Sequence, residues 1–241
     1  MNHINTSGEP LFLFKENRFI LDPEVIPPHF GSLLLADHVS HYIDKGNLVL
    51  DLGTGTGFLG IIAAKKARRV IATDISYQSA ICTRKNAVLN KVDKKIMVFV
   101  GDMFSGLKQS IFDLIIGNVP MMPIPPGMFL DDPLSTARNG GIDGRFFMDK
   151  MILKGSYYLK PRAKLLFQQF DFLDIKKTIK MMERSGFITE IIDEKVQDLS
   201  QPGVERLEYL KKLSSDSLIH EKTDIPRCKR YVILGIKKNE A

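Results

Sequence analysis

Apolar residues follow two rhythms along this chain. Short continuous runs at residues 48–50, 70–73, 96–100, 112–116 and 164–168 are bounded by polar residues or glycine. Runs so brief and so closely punctuated predict strands buried on both faces. Between them apolar positions recur every three to four residues, at 58–66, at 77–89 with Ser76 as N-cap, and at 144–159, where Pro161 ends the pattern. That spacing predicts helices. A further amphipathic helix follows Asp174, apolar at Ile175, Ile179 and Met182 and stopped by Gly186. Two more strand patterns, 187–196 and 230–237, flank a helical pattern at 204–213. Strand and helix in alternation predict an α/β chain: a doubly wound, mostly parallel sheet with right-handed crossovers and helices on both faces.

Ahead of this alternation, residues 11–14 and 18–21 pattern as a small hairpin around Glu16 and Asn17, and residues 32–43 have helical spacing. Residues 1–45 are therefore expected to form a hairpin and helix, a candidate lid over a catalytic unit of residues 46–241. With 241 residues, 44% of them hydrophobic, the chain can fill one large core and not two, so one compact unit is expected.

No run reaches the roughly 18 apolar residues of a membrane span. The start MNHINTSGEP lacks the basic-then-apolar layout of a signal peptide, so the chain reads as cytoplasmic with no membrane partner. Cys82 and Cys228 lie far apart without metal-ligand spacing, so both are expected reduced and no metal is expected. The formal charge of +6 is spread over clusters at 65–69, 91–95, 176–180 and 237–238, mostly at helix ends or strand starts, with no interleaved aromatics. Cations so placed complement helix dipoles, and nucleic acid is not the expected partner.

Candidate chemistry begins at LVLDLGTGTGFLG, where a buried strand runs into a turn dense in glycine. Such a turn lets the backbone approach a ligand closely before a helix starts. Gly55, Gly57 and Gly60 formally spell a dinucleotide fingerprint, a short pattern that is weak alone. Asp51, at the strand end before the first glycine, separates the alternatives. Its carboxylate would repel a pyrophosphate and would attract the ammonium and sulfonium of S-adenosylmethionine (SAM). Asp51, Gly53, Thr54, Gly55 and Gly57 are thus candidate SAM-binding residues. The next strand ends in Asp74, placed to accept from both ribose hydroxyls, with Ile75 beside it, and the third is followed by Asp102, placed to accept from the adenine amino group. Met103 or Phe104 offers apolar cover for the ring. Acids at three successive strand ends converge on one crevice.

With these residues in view, the chain resembles the class I SAM-dependent methyltransferases, from about Leu48 to Phe167, in the order DLGTGTG, Asp74, Asp102 and DLIIGNVP. The flanks IPPHFGSLLLAD and NGGIDGRFFMDKMILKGSYYLKPRAKLLF are similar to the branch holding the protein-glutamine N5-methyltransferases and their methyltransferase small domain relatives. The resemblance implies a Rossmann-like sheet of seven strands with the last antiparallel, and SAM lying over the strand ends. In that branch the fourth strand is followed by Asn-Pro-Pro-Tyr, whose Asn and following carbonyl hold a planar nitrogen while the ring stacks on it. The matching residues here are Asn118, Val119, Pro120 and Met121. Asn118 and Pro120 keep the polar hook and its turn, whereas a thioether at Met121 stacks poorly on an amide plane.

Methyl transfer from a sulfonium is an in-line displacement, so alignment and exclusion of water are what the protein must supply. Asn118, which also borders the cofactor, Pro120 and Tyr157 are the expected catalytic residues, with His29 and Asp143 as further candidate bases. The segment MMPIPPGMFLDDPL reads as an apolar flap suited to a small substrate. Together with Met121 it favours methylation of N, O or S on a small molecule or metabolite. Alternatives are a protein glutamine or other macromolecular nitrogen, a SAM-consuming reaction such as cyclisation with release of methylthioadenosine, and a non-enzymatic SAM sensor. Methylthioadenosine formed without an acceptor would mark the SAM-consuming reading, and label in protein the macromolecular one. The oligomeric state is not legible in the sequence.

Overall fold

The structure, a computed structural model, describes residues 3–4, 10–130, 134, 137–214 and 225–239. The beginning of the N-terminal segment, at 1–2 and 5–9, and Asp131, Asp132 and Pro133 of the flap lie outside the described residues. A small antiparallel sheet comes first, from β1 (His3–Ile4), β2 (Pro10–Phe14) and β3 (Asn17–Ile20). There follow α1 (Phe30–Val39), β4 (Leu48–Leu52), α2 (Phe58–Lys66), β5 (Arg69–Asp74), α3 (Tyr77–Leu89), β6 (Ile96–Val100) and β7 (Phe112–Gly117). The chain continues through α4 (Phe146–Tyr158), β8 (Leu159–Phe170), α5 (Ile175–Arg184), β9 (Phe187–Asp198), α6 (Gln201–Val204), α7 (Leu207–Leu213) and β10 (Arg227–Lys237).

Among the described residues the main sheet has seven strands, in the order β6-β5-β4-β7-β8-β10-β9. Pairing is parallel from β6 to β8, and β10 is antiparallel to both β8 and β9, so the last strand alone runs against the rest. This is the sheet that the resemblance implied. The chain leaves β4 toward β5 and β6, then returns to β7 on its other side. A reversal of that kind opens a crevice at the carboxyl ends of β4 and β7.

Alternate residues of the central strands face opposite cores, which is why their sequences read as unbroken apolar runs. Leu50, Leu52, Ile115, Leu165 and Phe167 pack with Met148, Met151 and Ile152 of α4 on one face. Val49, Leu114, Ile116 and Leu166 pack with Leu35 of α1 and Ile61 and Ile62 of α2 on the other. The basic residues at the foot of the sheet serve local ends: Lys95 donates to Ala64 and Ala67 carbonyls at the end of α2, and Lys65 to that of Asn90.

Two elements depart from expectation. The helix predicted over 144–159 ends at Tyr158 and β8 begins at once, carrying Pro161 in a stretch where pairing jumps from Leu159 to Lys164. An irregular strand start tolerates a missing N–H. The helix predicted over 204–213 is broken between α6 and α7. The N-terminal hairpin, a candidate lid by sequence, packs on α2 and α3. Phe12, Phe14 and Phe19 surround Phe58 of α2, with ring centroids 5.9, 5.1 and 4.9 Å away. Asn86 and Asn90 of α3 pair with the backbone of β3: Asn86 accepts from Ile20 N at 2.7 Å and donates to Ile20 O at 3.1 Å, and Asn90 does the same with Arg18 at 3.0 and 2.6 Å. Two side-chain amides thereby satisfy a strand edge that would otherwise be bare.

Candidate functional site

β4 delivers Asp51 to the rim of the sheet and the loop after it turns through Gly53, Gly55 and Gly57, all at positive φ. Asp51 is buried, and its Oδ2 accepts from Thr54 Oγ1 at 2.7 Å and from Gly60 N at 3.0 Å. Gly60 is the residue that permits this, because a Cβ there would stand 2.7 Å from the same oxygen. Burial pushes the Asp51 carboxyl up to about 6, the two hydrogen bonds oppose the shift, and the neighbouring Asp74 charge adds to it. The first turn of α2 thus donates inward to a carboxylate rather than outward. A pyrophosphate would find Asp51 in its place, which counts against the dinucleotide alternative.

Asp74 ties the second strand end to the same loop. Its two oxygens accept from Gly55 N and Ser76 N, each at 2.9 Å, and burial raises its pKa. Gly53 N and Thr54 N bond to Thr73 O, and Thr83 of α3 donates to Gly55 O. The loop is therefore held by β5 and α3 through backbone and side-chain hydrogen bonds while part of it stays open: a Cβ on Gly53 would meet nothing within 4 Å, and one on Gly55 only Val25, at 4.0 Å. Ile75 is 75% exposed beside Asp74, an apolar surface facing outward. Asp102 reaches the rim but is paired with Lys150 of α4 at 2.5 Å, while Met103 adopts a left-handed backbone and is buried. The two carboxylates of Asp51 and Asp74 around an open glycine turn suit a ligand that brings a cation and hydroxyl donors, which a SAM methionine group and ribose supply.

Asn118 follows β7 on the other side of the crevice. Its Nδ2 donates to Ser32 Oγ of α1 at 2.9 Å, and its Oδ1 accepts from Gln168 Nε2 of β8 at 2.7 Å. Gln168 Oε1 in turn accepts from Arg230 Nη1 of β10 at 2.7 Å, and Arg230 Nε donates to Gln197 of β9 at 2.7 Å. Arg230 is only 5% exposed and lies 3.8 Å above the Phe170 ring centroid. Burial pulls its pKa down to about 10, which leaves it charged near neutrality. Gly31 makes room for it, since a Cβ there would come within 2.3 Å of Nη1. Gln168 and Arg230 were not expected at the site. Polar residues within or beside apolar runs, the glutamine pair of KLLFQQF and the arginine of RYVILG, were the available signal.

Pro120 follows Asn118 in an irregular stretch, and the next residues are fixed from outside: Met122 N bonds to Arg138 O, Gly140 N to Met122 O and Ile124 N to Gly141 O. Met121 and Met122 are buried in the core, Met121 with its sulfur 3.2 Å from Gln168 Nε2. These two methionines of the expected flap pack inward and do not line an open surface. The expectation for Tyr157 is corrected. Its carbonyl accepts from Ser110 N, just before β7 begins, so it stands at the opposite end of that strand from Asn118. About five steps of 3.3 Å, roughly 17 Å, separate the two ends. Helical periodicity reports the face of a helix and not which end of a sheet it reaches. Asp143 accepts from Arg145 N and lies 3.7 Å from Lys177, a loop contact away from the hook. His29 precedes α1, near the relay; desolvation first and the Arg230 charge second push it down to about 4, so it is neutral near pH 7.

Residues 28–123 match the family model described as the methyltransferase small domain. The chain is 34% identical over 172 residues to a candidate protein N5-glutamine methyltransferase of Methanocaldococcus jannaschii, covering 71% of this chain and 85% of that one. It is 31% identical over 180 residues to the release factor glutamine methyltransferase of Thermodesulfovibrio yellowstonii, covering 71% of this chain and 62% of that enzyme. Among solved structures it matches the E. cuniculi Mtq2-Trm112 complex with a TM-score of 0.61 at 20% identity, covering 89% of this chain and 99% of that one. At that identity the likeness is one of fold. No helix among the described residues is long and apolar enough to cross a membrane.

Proposed function

This chain belongs to the SAM-dependent methyltransferases of the methyltransferase small domain family, and from that premise we propose that its acceptor is the side-chain amide nitrogen of a glutamine in a protein. The observation that carries this reading is the 34% identity spanning 85% of a relative named for protein N5-glutamine methylation. The release factor glutamine methyltransferase, at 31%, points the same way. The expectation of a small-molecule acceptor is corrected by these relatives. Its physical basis was the apolar flap that begins at Met121 and the missing stacking aromatic; Met121 and Met122 of that flap pack in the core, whereas Met128 and Phe129 are exposed.

Bound SAM supplies a methyl group on sulfur, and the amide nitrogen forms its N–C bond as the C–S bond breaks, leaving a neutral thioether and giving one proton to solvent. The residues of the chain hold and align. Asp51 and the turn of Gly53, Thr54, Gly55 and Gly57 take the methionine end, Asp74 the ribose hydroxyls, and Ile75, Asp102 and Met103 the adenine. The exposed Asp102–Lys150 pair is worth roughly 0–1 kcal/mol, so giving up Lys150 costs little. Asn118 accepts an amide N–H and turns the nitrogen toward the methyl group, and Pro120 restrains the chain beside it.

The test is to incubate the protein with methyl-labelled SAM and purified release factor, then locate label by peptide mass spectrometry. One added methyl on a glutamine, lost when that glutamine is changed, is the expected outcome. Methylthioadenosine released without any acceptor would sink the proposal.

Asp51 gives the cofactor site a pH signature. Its pKa near 6 is above the ordinary carboxylate value, so the empty site holds a growing fraction of protonated Asp51 as pH falls through 6. A cationic ligand favours the ionised form and must displace that proton. SAM affinity is therefore expected to fall as pH drops from 7 to 5, with proton release on binding at the lower pH. Calorimetry in two buffers of different ionisation enthalpy reads this; affinity that is flat with pH would remove Asp51 from the methionine end.

A further inference from the structure

We propose that Arg230 is a positioning residue which, through Gln168, dictates which atom of the Asn118 side-chain amide faces the acceptor. The inference rests on the proposed glutamine acceptor, whose amide brings N–H donors.

Amide side chains are symmetric in shape and opposite in chemistry, so an asparagine can present oxygen or nitrogen in nearly the same space. Something must break that symmetry at Asn118. Ser32 does not, because a hydroxyl both donates and accepts. Met121 sulfur is a weak acceptor and does not decide the matter. Arg230 does: a guanidinium only donates, so the Gln168 atom 2.7 Å from Nη1 has to be Oε1. Gln168 Nε2 then faces Asn118 and donates, which requires Oδ1 on the near side at 2.7 Å and leaves Nδ2 for Ser32 at 2.9 Å. The polarity of one buried cation is thereby passed through two amides in series. Asn118 Oδ1, with two lone pairs, keeps one for an acceptor N–H.

The surroundings agree with a part kept for this purpose. Arg230 is 5% and Gln168 1% exposed. The guanidinium makes its hydrogen bonds to two glutamines, and no ion pair with a carboxylate joins it among the described residues. A buried cation held by two amides and an aromatic ring, with no carboxylate, is a costly way to build a core. Replacing Gln168 by glutamate would neutralise it and stabilise the fold, yet would reverse the relay. Glutamate at this position accepts on both oxygens. The Asn118 amide would then turn its Nδ2 inward and its Oδ1 toward the Ser32 hydroxyl, facing the acceptor with the wrong polarity.

Gln168→Glu is the decisive variant, and Arg230→Met, which keeps bulk over Phe170, is the second. For Gln168→Glu we expect a melting temperature equal to or above wild type, unchanged SAM affinity by calorimetry, and turnover on the release factor lowered about 100-fold, the scale of a misaligned reacting group. In wild-type protein labelled with carbon-13 and nitrogen-15, the Gln168 Nε2 signal is expected to couple across the hydrogen bond to the Asn118 side-chain carbonyl carbon. Arg230→Met is expected to lose that coupling and turnover together. Full turnover by a folded Gln168→Glu overturns the relay, as does parallel loss of melting temperature, SAM affinity and turnover, which would make Gln168 merely structural. Absence of the coupling in wild type overturns it whatever the acceptor is. Wild-type protein that shows the coupling but leaves release factor unmethylated would instead refute the glutamine reading.

Discussion

Phe19→Ala is expected to lower the free energy of unfolding by about 3–5 kcal/mol, the usual range for a fully buried phenylalanine. Phe19 has no exposed surface, sits 4.9 Å from Phe58 and belongs to the core that contains the first helix and the sheet. A domain of this size shifts its melting temperature by roughly 2–4 °C per kcal/mol, so a drop of about 6–20 °C is expected. The same substitution in a detachable lid would leave the melting temperature alone and change the rates of ligand entry. Thermal or urea unfolding therefore decides whether the hairpin is a plate or a cover. A melting temperature within a degree or two of wild type would mean the aromatic cluster around Phe58 does not hold the segment down.

The second large effect is on turnover. Asn118→Ala is expected to lower kcat on a glutamine-containing protein by about 100-fold or more while SAM affinity stays nearly intact. Asn118 is oriented by Ser32 on one side and Gln168 on the other, so the substitution removes the guide proposed for the acceptor and leaves the glycine turn and Asp74 untouched. Steady-state kinetics with parallel calorimetry separates the outcomes. If affinity for SAM falls together with kcat, Asn118 belongs to the cofactor side of the crevice.

Much of the architecture was legible because burial on both faces writes itself into strand composition. Runs such as VLDL and DLIIG admit few other readings, and the acids at their ends mark one rim by position alone. The glycine turn was legible for a related reason: three positive-φ positions in five residues leave little choice of residue. What stayed hidden were directions. The letter Met at 121 does not say that its sulfur points inward, and the letter Tyr at 157 does not say that it sits at the foot of β7. Arg230 was hidden more deeply, since it lies 62 residues from its partner Gln168 in sequence and meets it only after β10 inserts beside β8. A basic residue next to an apolar strand run is visible in the sequence; its neighbours in the fold are not.

That insertion has a consequence for how the molecule comes into being. β10 pairs with β8 on one side and β9 on the other, so both earlier strands wait for it with unsatisfied edges. During synthesis, at about 5–20 residues per second, the roughly thirty residues between the end of β9 and the start of β10 hold that state open for a few seconds. Throughout this window the glycine turn has already been synthesised, whereas Arg230, the partner of Gln168, has not.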